Sequence, residues 1–568
     1  MTEPTKIINM GNGVTLRRSI PCRMSDGVTL LSDHYAPADA STPLPTILMR
    51  QPYGRDIAST VVYAHPAWFA RRGYNVVIQD VRGRGDSGGH FYPFLHEKQD
   101  GAETIAWLRT LPESNGKVGM YGFSYQGMTQ LLAAAAQPEG LLCISPAMAA
   151  TDLYHGWFYN NGALRLASSV GWGLQMLKED ARRLNLREAS ERLERAWANL
   201  PAQFLETPYA AHPAIKANAL SKYVVDWIEH NAPGDFWSRM DLSTSLEQIT
   251  IPALHVSGWY DTYLNGTIAG FRSLTENAGT AHARDNQYLL AGPWVHIPWG
   301  NRIGTQNFGP EALLDTDDLL LRWFNHWLKD SGEFAAEPKI KHFALNQNKW
   351  HPAATWPTES SLDLYLHSEG RANSSKGNGS LRAEAPTNEE ASDILSVDPE
   401  VPVIAPGGIA SASGCFNQAA AQQGNNVLVY TSDPFDKALH IFGTPSITLH
   451  ASTSAPHADL VAKLTCVRPN GDADFICIGI ARSSFLFEHY TPDTPHIWRF
   501  DLEPTSWVFQ PGERLRLEVS GNSYPLYDRN PHTAVKPSHA DSWNWKRSTH
   551  ILHHTIELAS ALHLPVVG

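Results

Sequence analysis

Three residues in the first half of this chain have the types, the order and the setting to do covalent chemistry together. Ser124 stands in Lys117-Val-Gly-Met-Tyr-Gly-Phe-Ser-Tyr-Gln-Gly-Met128. Asp261 closes Gly258-Trp-Tyr-Asp261, and His296 closes Gly292-Pro-Trp-Val-His296. A serine hydroxyl is a poor nucleophile at neutral pH. It needs a base to take its proton and an acid to hold that base in one tautomer. Serine, then acid, then histidine along the chain is one of the orders in which such a set occurs, and the chemistry it implies is acyl transfer through an acyl-enzyme.

Each of the three follows a run that reads as a strand: 118–121 before Ser124, 251–257 before Asp261 and 287–291 before His296. The run 126–137, rich in Ala and Leu, reads as a helix. A serine at a strand-to-helix turn has its hydroxyl pushed above the sheet edge, and the helix N-terminus favours developing negative charge. That is the nucleophile elbow of an α/β-hydrolase. The usual elbow is Gly-x-Ser-x-Gly. Here Gly122 is in place, but the position two after the serine is Gln126, and glycine arrives one later at Gly127.

The elements around the elbow support this reading. Runs 46–50 and 74–79 read as buried strands, and 66–72 and 100–110 as helices, an alternation that predicts a mostly parallel sheet. Helical periodicity dominates 150–245, for example 180–199 with Leu184, Leu193 and Trp197 among charges, and no strand run is visible there. Beyond about 340 the pattern changes to short alternating runs such as 362–366, 446–450, 460–464 and 514–519. The expected organisation is an α/β-hydrolase core in two parts, 1–148 and 248–337, a helical cap at 149–247, and an all-β jelly-roll sandwich at 338–568.

The loop 80–89 contains three familiar strings: Gly83-Arg-Gly-Asp-Ser-Gly88, Gly85-Asp-Ser-Gly-Gly89 and Arg84-Gly-Asp86. The first does not open directly into a helix, as a dinucleotide site must. The second belongs to double β-barrel proteases, which have no strand–helix alternation. The third, as an integrin ligand, requires secretion. A structural glycine-rich turn is the reading for all three.

The chain has 568 residues, 42% hydrophobic and 18% charged, as expected of a folded protein of several domains. Its net charge of −12 is spread over mixed signs, with no basic footprint for nucleic acid. Residues 1–6 lack the apolar run of a signal peptide, and no apolar stretch is long enough to span a bilayer, so a cytoplasmic protein is expected. The five cysteines are odd in number and scattered; free thiols are expected, although Cys466 and Cys477 are spaced as if on neighbouring strands. His550, His553 and His554 form the densest histidine cluster, in an expected strand, and a structural role is preferred over a metal site.

Gly122-x-Ser124-Tyr125-x-Gly127, Gly258-Trp-Tyr-Asp261 and Gly292-Pro-Trp-x-His296 together resemble the cocaine esterase family, also called the X-Pro dipeptidyl-peptidase S15 or CocE/NonD hydrolases. Arg82-Gly beside Gln79-Asp80, Arg514-Leu-Arg-Leu and Tyr527-Asp-Arg-Asn-Pro531 are similar as well, and the likeness extends over essentially the whole chain. The family itself has tyrosine after the serine and glycine at the third position, which accounts for the elbow. The resemblance implies an α/β-hydrolase core, a helical cap and a C-terminal jelly roll. It also implies an oxyanion hole built from the backbone N–H after the nucleophile, here of Tyr125, and from a tyrosine hydroxyl, here of Tyr53 in Gln51-Pro-Tyr53.

There is one departure from the family. Members acting on α-amino acid esters hold the substrate ammonium with carboxylates, partly just after the catalytic aspartate. Here Asp261 is followed by Thr262-Tyr-Leu-Asn265, with no acid. A buried ammonium without a carboxylate partner is costly, which argues against α-amino ester and dipeptidyl-peptidase substrates. Trp157, Trp172, Trp259 and Tyr263 are the candidates for an apolar acyl pocket. The expectation is a serine hydrolase of carboxylic esters, and by extension amides, that uses no metal or organic cofactor. Its partner is a small-molecule substrate, not nucleic acid or membrane, with homo-oligomerisation left open. An acylase or X-Pro/aminopeptidase-type amidase with the same triad is the first alternative. A non-catalytic protein whose jelly roll binds carbohydrate is the second.

Overall fold

The computed structural model describes residues 7–56, 60–216, 219–359, 361–404, 406–409 and 412–567. Residues 1–6, on which the reading of the N-terminus rests, lie outside that set.

The first half is built on one sheet. Its strands are β1 (Ile7–Asn9), β2 (Val14–Arg23), β3 (Thr29–Pro37), β4 (Leu44–Gln51), β5 (Asn75–Asp80), β6 (Ser114–Phe123), β7 (Leu141–Ala147), β8 (Ala253–Tyr260), β9 (Gln287–Val295), β10 (Ile340–Ala344) and β11 (Lys349–Ala353). They lie in the order β1-β2-β3-β5-β4-β6-β7-β8-β9-β10-β11. From β5 to β10 all neighbours are parallel, and antiparallel pairs flank that block on both sides. The central strands are apolar and buried on both faces because helices, beginning with α1 (Pro66–Ala70), cover both. Leu48, Val77, Met120 and Ile144 pack with α2 (Glu97–Arg109) and α3 (Tyr125–Ala135). Their alternating neighbours Ile47, Met49, Val76, Ile78 and Tyr121 face the opposite layer.

Between β7 and β8 the chain leaves the sheet as a helical region containing α4 (Leu166–Arg183), α5 (Arg187–Trp197) and α6 (Lys222–Glu229). The single periodic run at 180–199 is in fact split: the chain turns at Leu184–Leu186, with Asn185 at φ 55°. A two-residue antiparallel pair, Tyr159–Asn160 with Ala163–Leu164, precedes α4 and has no visible counterpart in the sequence pattern. The sheet resumes with α7 (Leu264–Asn277) after β8 and α8 (Thr316–Lys329) after β9. The Asp315 side chain accepts from the Asp318 N–H at 2.9 Å and caps α8.

Pairing in the first sheet does not stop where the helices do. β10 adds in parallel to β9, and β11 hairpins back on it, so residues 340–353 lie beyond the expected boundary at 337 yet belong to this sheet. The remainder is mostly sheet. An eleven-stranded sheet runs from Asp393–Val397 at one edge to Ala473–Arg482 at the other, and a three-stranded sheet holds Leu439–Gly443 at its centre. Backbone bonds stitch the halves together, among them Leu345 N–H to the Ser506 carbonyl (2.9 Å) and Val508 N–H to the Leu345 carbonyl (3.0 Å).

All five cysteines are buried free thiols; Cys466 stands opposite Asp474, and Cys477 opposite Leu464, in neighbouring strands. The three C-terminal histidines take separate partners. His550 meets the Ser548 hydroxyl, His553 lies between Ser392 and Ser452, and His554 is 2.7 Å from Asp393. Among the described residues no helix is long and apolar enough to cross a membrane.

Candidate active site

Ser124 occupies the single residue between β6 and α3, at φ 62° and ψ −129°. A non-glycine residue there is strained by about 1–3 kcal/mol and persists only if its surroundings enforce it. The Ser124 N–H donates to the Ala147 carbonyl at 2.8 Å, tying the turn to the end of β7. A Cβ on Gly122 would lie 2.5 Å from the Gln126 Cβ. A Cβ on Gly127 would lie 2.6 Å from the Ala149 Cβ and 2.9 Å from the Ala147 carbonyl oxygen. The close approach of α3 to the 147–149 segment therefore falls at position 127. Position 126 is free to carry a side chain, and Gln126 turns back to accept the Phe123 N–H at 3.2 Å.

Asp261 and His296 meet through strand register. The expected strands are longer than their apolar runs: β8 reaches Tyr260 and β9 reaches Val295, and these two residues are partners in the parallel ladder. Asp261 and His296 are each the next residue along. The histidine Nδ1 lies 2.6 Å from Asp261 Oδ1, and Asp261 Oδ2 accepts the Tyr263 N–H at 3.0 Å. Asp261 is fully buried. The glycines of both motifs serve this convergence: a Cβ on Gly258 would lie 2.3 Å from the Trp294 carbonyl oxygen, and one on Gly292 would lie 2.5 Å from the Trp294 ring. The His296 ring packs against Phe123, the residue before Ser124, at 5.3 Å, and edge-on against Tyr263 at 5.2 Å. Among the described residues no hydrogen bond joins the Ser124 hydroxyl to His296. Such a contact commonly tightens only once substrate is bound.

The two expected oxyanion donors flank the serine. The Tyr125 N–H opens α3 and donates to no acceptor among the described residues. Its side chain points away, with the hydroxyl on Glu97 Oε1 (2.7 Å) and Glu97 Oε2 on Arg50 Nη1 (2.7 Å). Half-buried Tyr53 has its hydroxyl beside the Trp172 indole and the Ser124 hydroxyl; burial raises its pKa, and Trp172, the Arg84 charge and Ser124 partly offset that.

Tyr53 is held by residues that sequence reasoning missed. Its N–H donates to Gln51 Oε1 at 2.8 Å, and Gln51 Nε2 donates to Asp80 Oδ1 at 3.1 Å. Asp80 is gripped by Arg55 and pushed up to about 6 by burial. This accounts for the glycine-rich loop: Gly85, at φ 50°, would place a Cβ 2.1 Å from Asp80 Oδ2. Arg84 in that loop is fully buried, 3.0 Å from Asp180 and with its guanidinium over Phe91, so the arginine of Arg84-Gly-Asp86 is not on display, although Asp86 is exposed. The only sequence signal for these supports was the family likeness around Gln79, Asp80 and Arg82.

Three of the four pocket candidates share one aromatic cluster. Trp157 stacks on Tyr263 with centroids 3.8 Å apart, and Trp172 lies 5.8 Å from Trp157. Phe94 and Trp227, which the sequence did not single out, complete it: Phe94 stacks on Tyr125 at 4.7 Å and Trp227 on Trp172 at 4.9 Å. Trp259 does not join them. Strand alternation turns it to the other side, where its indole donates to the Phe343 carbonyl at 2.7 Å within the core shared with the C-terminal half.

The chain matches the model of the X-Pro dipeptidyl-peptidase (S15 family) over residues 26–298, and that of the X-Pro dipeptidyl-peptidase C-terminal non-catalytic domain over residues 332–563. It is 30% identical to the cocaine esterase of Rhodococcus sp. (strain MB1 Bresler), over 96% of this chain and 97% of that one. Among solved structures, an aminopeptidase from a marine sediment archaeon, Thaumarchaeota archaeon, superposes with a TM-score of 0.83 at 24% identity, over 100% of this chain and 99% of its own. An α-amino acid ester hydrolase does so with a TM-score of 0.78 at 24% identity, over 100% and 98%. Those two show a shared fold. The two adjoining family models and the full-length relative go further: the chain belongs to the X-Pro dipeptidyl-peptidase S15 family of serine hydrolases, the family of cocaine esterase.

Proposed function

We propose that this serine hydrolase cleaves carboxylic esters whose acyl group is apolar or aromatic, with Ser124 as nucleophile, His296 as base and Asp261 as the acid that orients it. The observation that carries the reading is the 2.6 Å contact between His296 Nδ1 and Asp261 Oδ1, next to a serine held in a strained strand-to-helix turn. Nδ1 being committed to Asp261, Nε2 is the nitrogen left to take the serine proton. Attack on the ester carbonyl makes a tetrahedral oxyanion, held by the Tyr125 N–H and the Tyr53 hydroxyl. His296 then protonates the leaving alcohol, and water repeats the sequence on the acyl-enzyme. The aromatic cluster of Trp157, Trp172 and Tyr263 supports an apolar acyl pocket beside the serine.

The architecture that fits best is an α/β-hydrolase core with a helical cap between β7 and β8, followed by a jelly roll, in a cytoplasmic protein whose partner is a small-molecule substrate. Ester and matching amide, assayed side by side on wild type and Ser124→Ala, test the reading. Ester turnover well above amide turnover, lost by orders of magnitude in Ser124→Ala with unchanged melting, is expected. A loss of only a few-fold refutes the nucleophile, and faster amide turnover makes the protein an amidase.

A further inference from the structure

Three ionisable side chains from three parts of the chain are buried close together around the Asp261 loop. Arg165, next to α4, is fully buried. Its Nε and Nη2 donate to Asn160 Oδ1 at 2.9 and 2.6 Å, and its Nη1 donates to the carbonyl of Thr262, the residue after Asp261. Among the described residues it makes no ion pair, and a buried guanidinium without a counter-charge is costly. Its charge acts on the Glu503 carboxyl, and Asp261 is the residue before the Thr262 whose carbonyl it holds, both charges bearing on Tyr263.

Glu503 comes from the C-terminal half, just after the strand His496–Asp501. It is 1% exposed, its N–H is fixed on the Ile478 carbonyl at 2.9 Å, and among the described residues neither carboxyl oxygen has a hydrogen-bond partner. Thr262 Oγ1 and Asn265 Oδ1 are likewise buried, and unpartnered among the described residues. Asn160, Asn265, Leu502 and Pro504 line a cavity of about 340 Å³ that brings solvent up to this region. The ionisable groups acting on Glu503 are Arg165 and Asp261; Tyr527, whose hydroxyl accepts from Asn160 Nδ2 at 3.0 Å, faces both Glu503 and Arg165. Burial outweighs the attraction of Arg165, Asp261 adds to it, and the Glu503 carboxyl is pushed up to about 8.

We propose that Arg165 and Glu503 are positioning residues of the Asp261–His296 pair, Arg165 holding the Thr262 carbonyl and supplying the counter-charge to Asp261, and Glu503 closing the cluster from the C-terminal half. This rests on the triad assigned above. With Glu503 neutral, the single guanidinium is committed to Asp261 and the cluster carries no net charge. An ionised Glu503 would compete for it. The all-β half then acts on the triad although, among the described residues, none of its side chains hydrogen-bonds to Ser124, Asp261 or His296.

Glu503→Gln, Arg165→Gln and Arg165→Lys in the full chain test this, with kcat/KM and fluorophosphonate labelling followed against pH and melting measured from about pH 5 to about pH 9. In Arg165→Gln the acidic limb should move up by ~1 pH unit, because imidazolium forms more easily without the nearby cation, and kcat should fall. Arg165→Lys should keep the limb in place while losing part of the rate. For Glu503 the folded state holds its proton up to about 8, whereas the unfolded chain releases it near 4.5, so wild-type stability falls as pH rises through that window. Glutamine has no proton to lose. Glu503→Gln should therefore match wild type in the acid and melt progressively higher than it towards alkaline pH. A limb that stays put in Arg165→Gln, or a melting gap in Glu503→Gln that is the same at both ends of the range, overturns the proposal. Should Arg165→Gln not fold, the Glu503→Gln melting series decides alone. Ser124→Ala separates the two failures: turnover surviving there sinks the triad reading and this proposal with it, whereas an inactive Ser124→Ala beside an unmoved limb sinks this proposal only.

Discussion

The hydroxyl of Tyr53 is the residue-scale feature on which the proposed mechanism leans most. It sits beside the Ser124 hydroxyl and the Trp172 indole, and its backbone is fixed through Gln51 to Asp80. Tyr53→Phe keeps the ring and removes one donor. A donor that serves only the oxyanion affects the transition state more than the bound substrate, so kcat should fall by ~10²–10³ with KM little changed. Steady-state kinetics with a melting curve check this. An unchanged kcat with melting lowered by loss of ~1 kcal/mol would make Tyr53 a structural residue instead. Gln51→Ala should act one step removed: Tyr53 keeps its hydroxyl but loses the anchor at its N–H. A fall in kcat smaller than that of Tyr53→Phe is the expected order, and the reverse order would mean that Gln51 has a role of its own.

At the scale of elements, the elbow depends on how closely α3 approaches the segment after β7. Gly127 marks the contact, since its missing Cβ would meet a methyl and a backbone carbonyl at under 3 Å. Neither can step aside without moving the turn. Gly127→Ala should cost about 1–3 kcal/mol and lower kcat as well, because the same shift displaces the Tyr125 N–H and Ser124. Thermal melting and ester kinetics on the one variant check both parts. A normal rate in a destabilised Gly127→Ala protein would show that the elbow tolerates the shift. By the same logic the Gly258 and Gly292 contacts with Trp294 keep β8 and β9 in the register that sets Asp261 beside His296.

Across the whole molecule, the helical region and the C-terminal half are joined by a buried ionic knot. Arg482 reaches both oxygens of Asp459 at 2.9 Å, Asp528 Oδ1 at 2.9 Å and the Gly162 carbonyl at 3.1 Å, and Asp528 also accepts the Leu164 N–H at 2.9 Å. This explains the Tyr527-Asp-Arg-Asn-Pro531 motif: Asp528 clamps the short strand pair that leads into α4, and Asn530 adds a bond to Asp459 at 2.8 Å. Arg482→Met leaves two buried carboxylates unpaired and should cost about 3–5 kcal/mol, read from denaturant or thermal unfolding. A loss below about 1 kcal/mol would mean that apolar contacts alone hold the halves together.

Much of the candidate site was legible in the sequence because local chemistry announces itself. The types and order of Ser124, Asp261 and His296, the strand-to-helix pattern around the serine and the change to alternating runs after about 340 follow from period and residue type alone. The tertiary structure decided what depends on neighbours distant in sequence. Register put Asp261 and His296 side by side, strand alternation turned Trp259 out of the aromatic cluster, and pairing carried the first sheet on to residue 353. The glycines of 83–89 read as a turn from sequence, but only the Asp80 carboxylate packed over Gly85 shows why glycine is required there. Arg165 and Glu503 were invisible: 338 positions apart, ordinary in their local patterns, they become informative only when burial leaves, among the described residues, one guanidinium without an ion pair and one carboxyl without a hydrogen bond near the same aspartate. Periodicity reports which face of an element is apolar; it carries no information on which buried charges share a common interior.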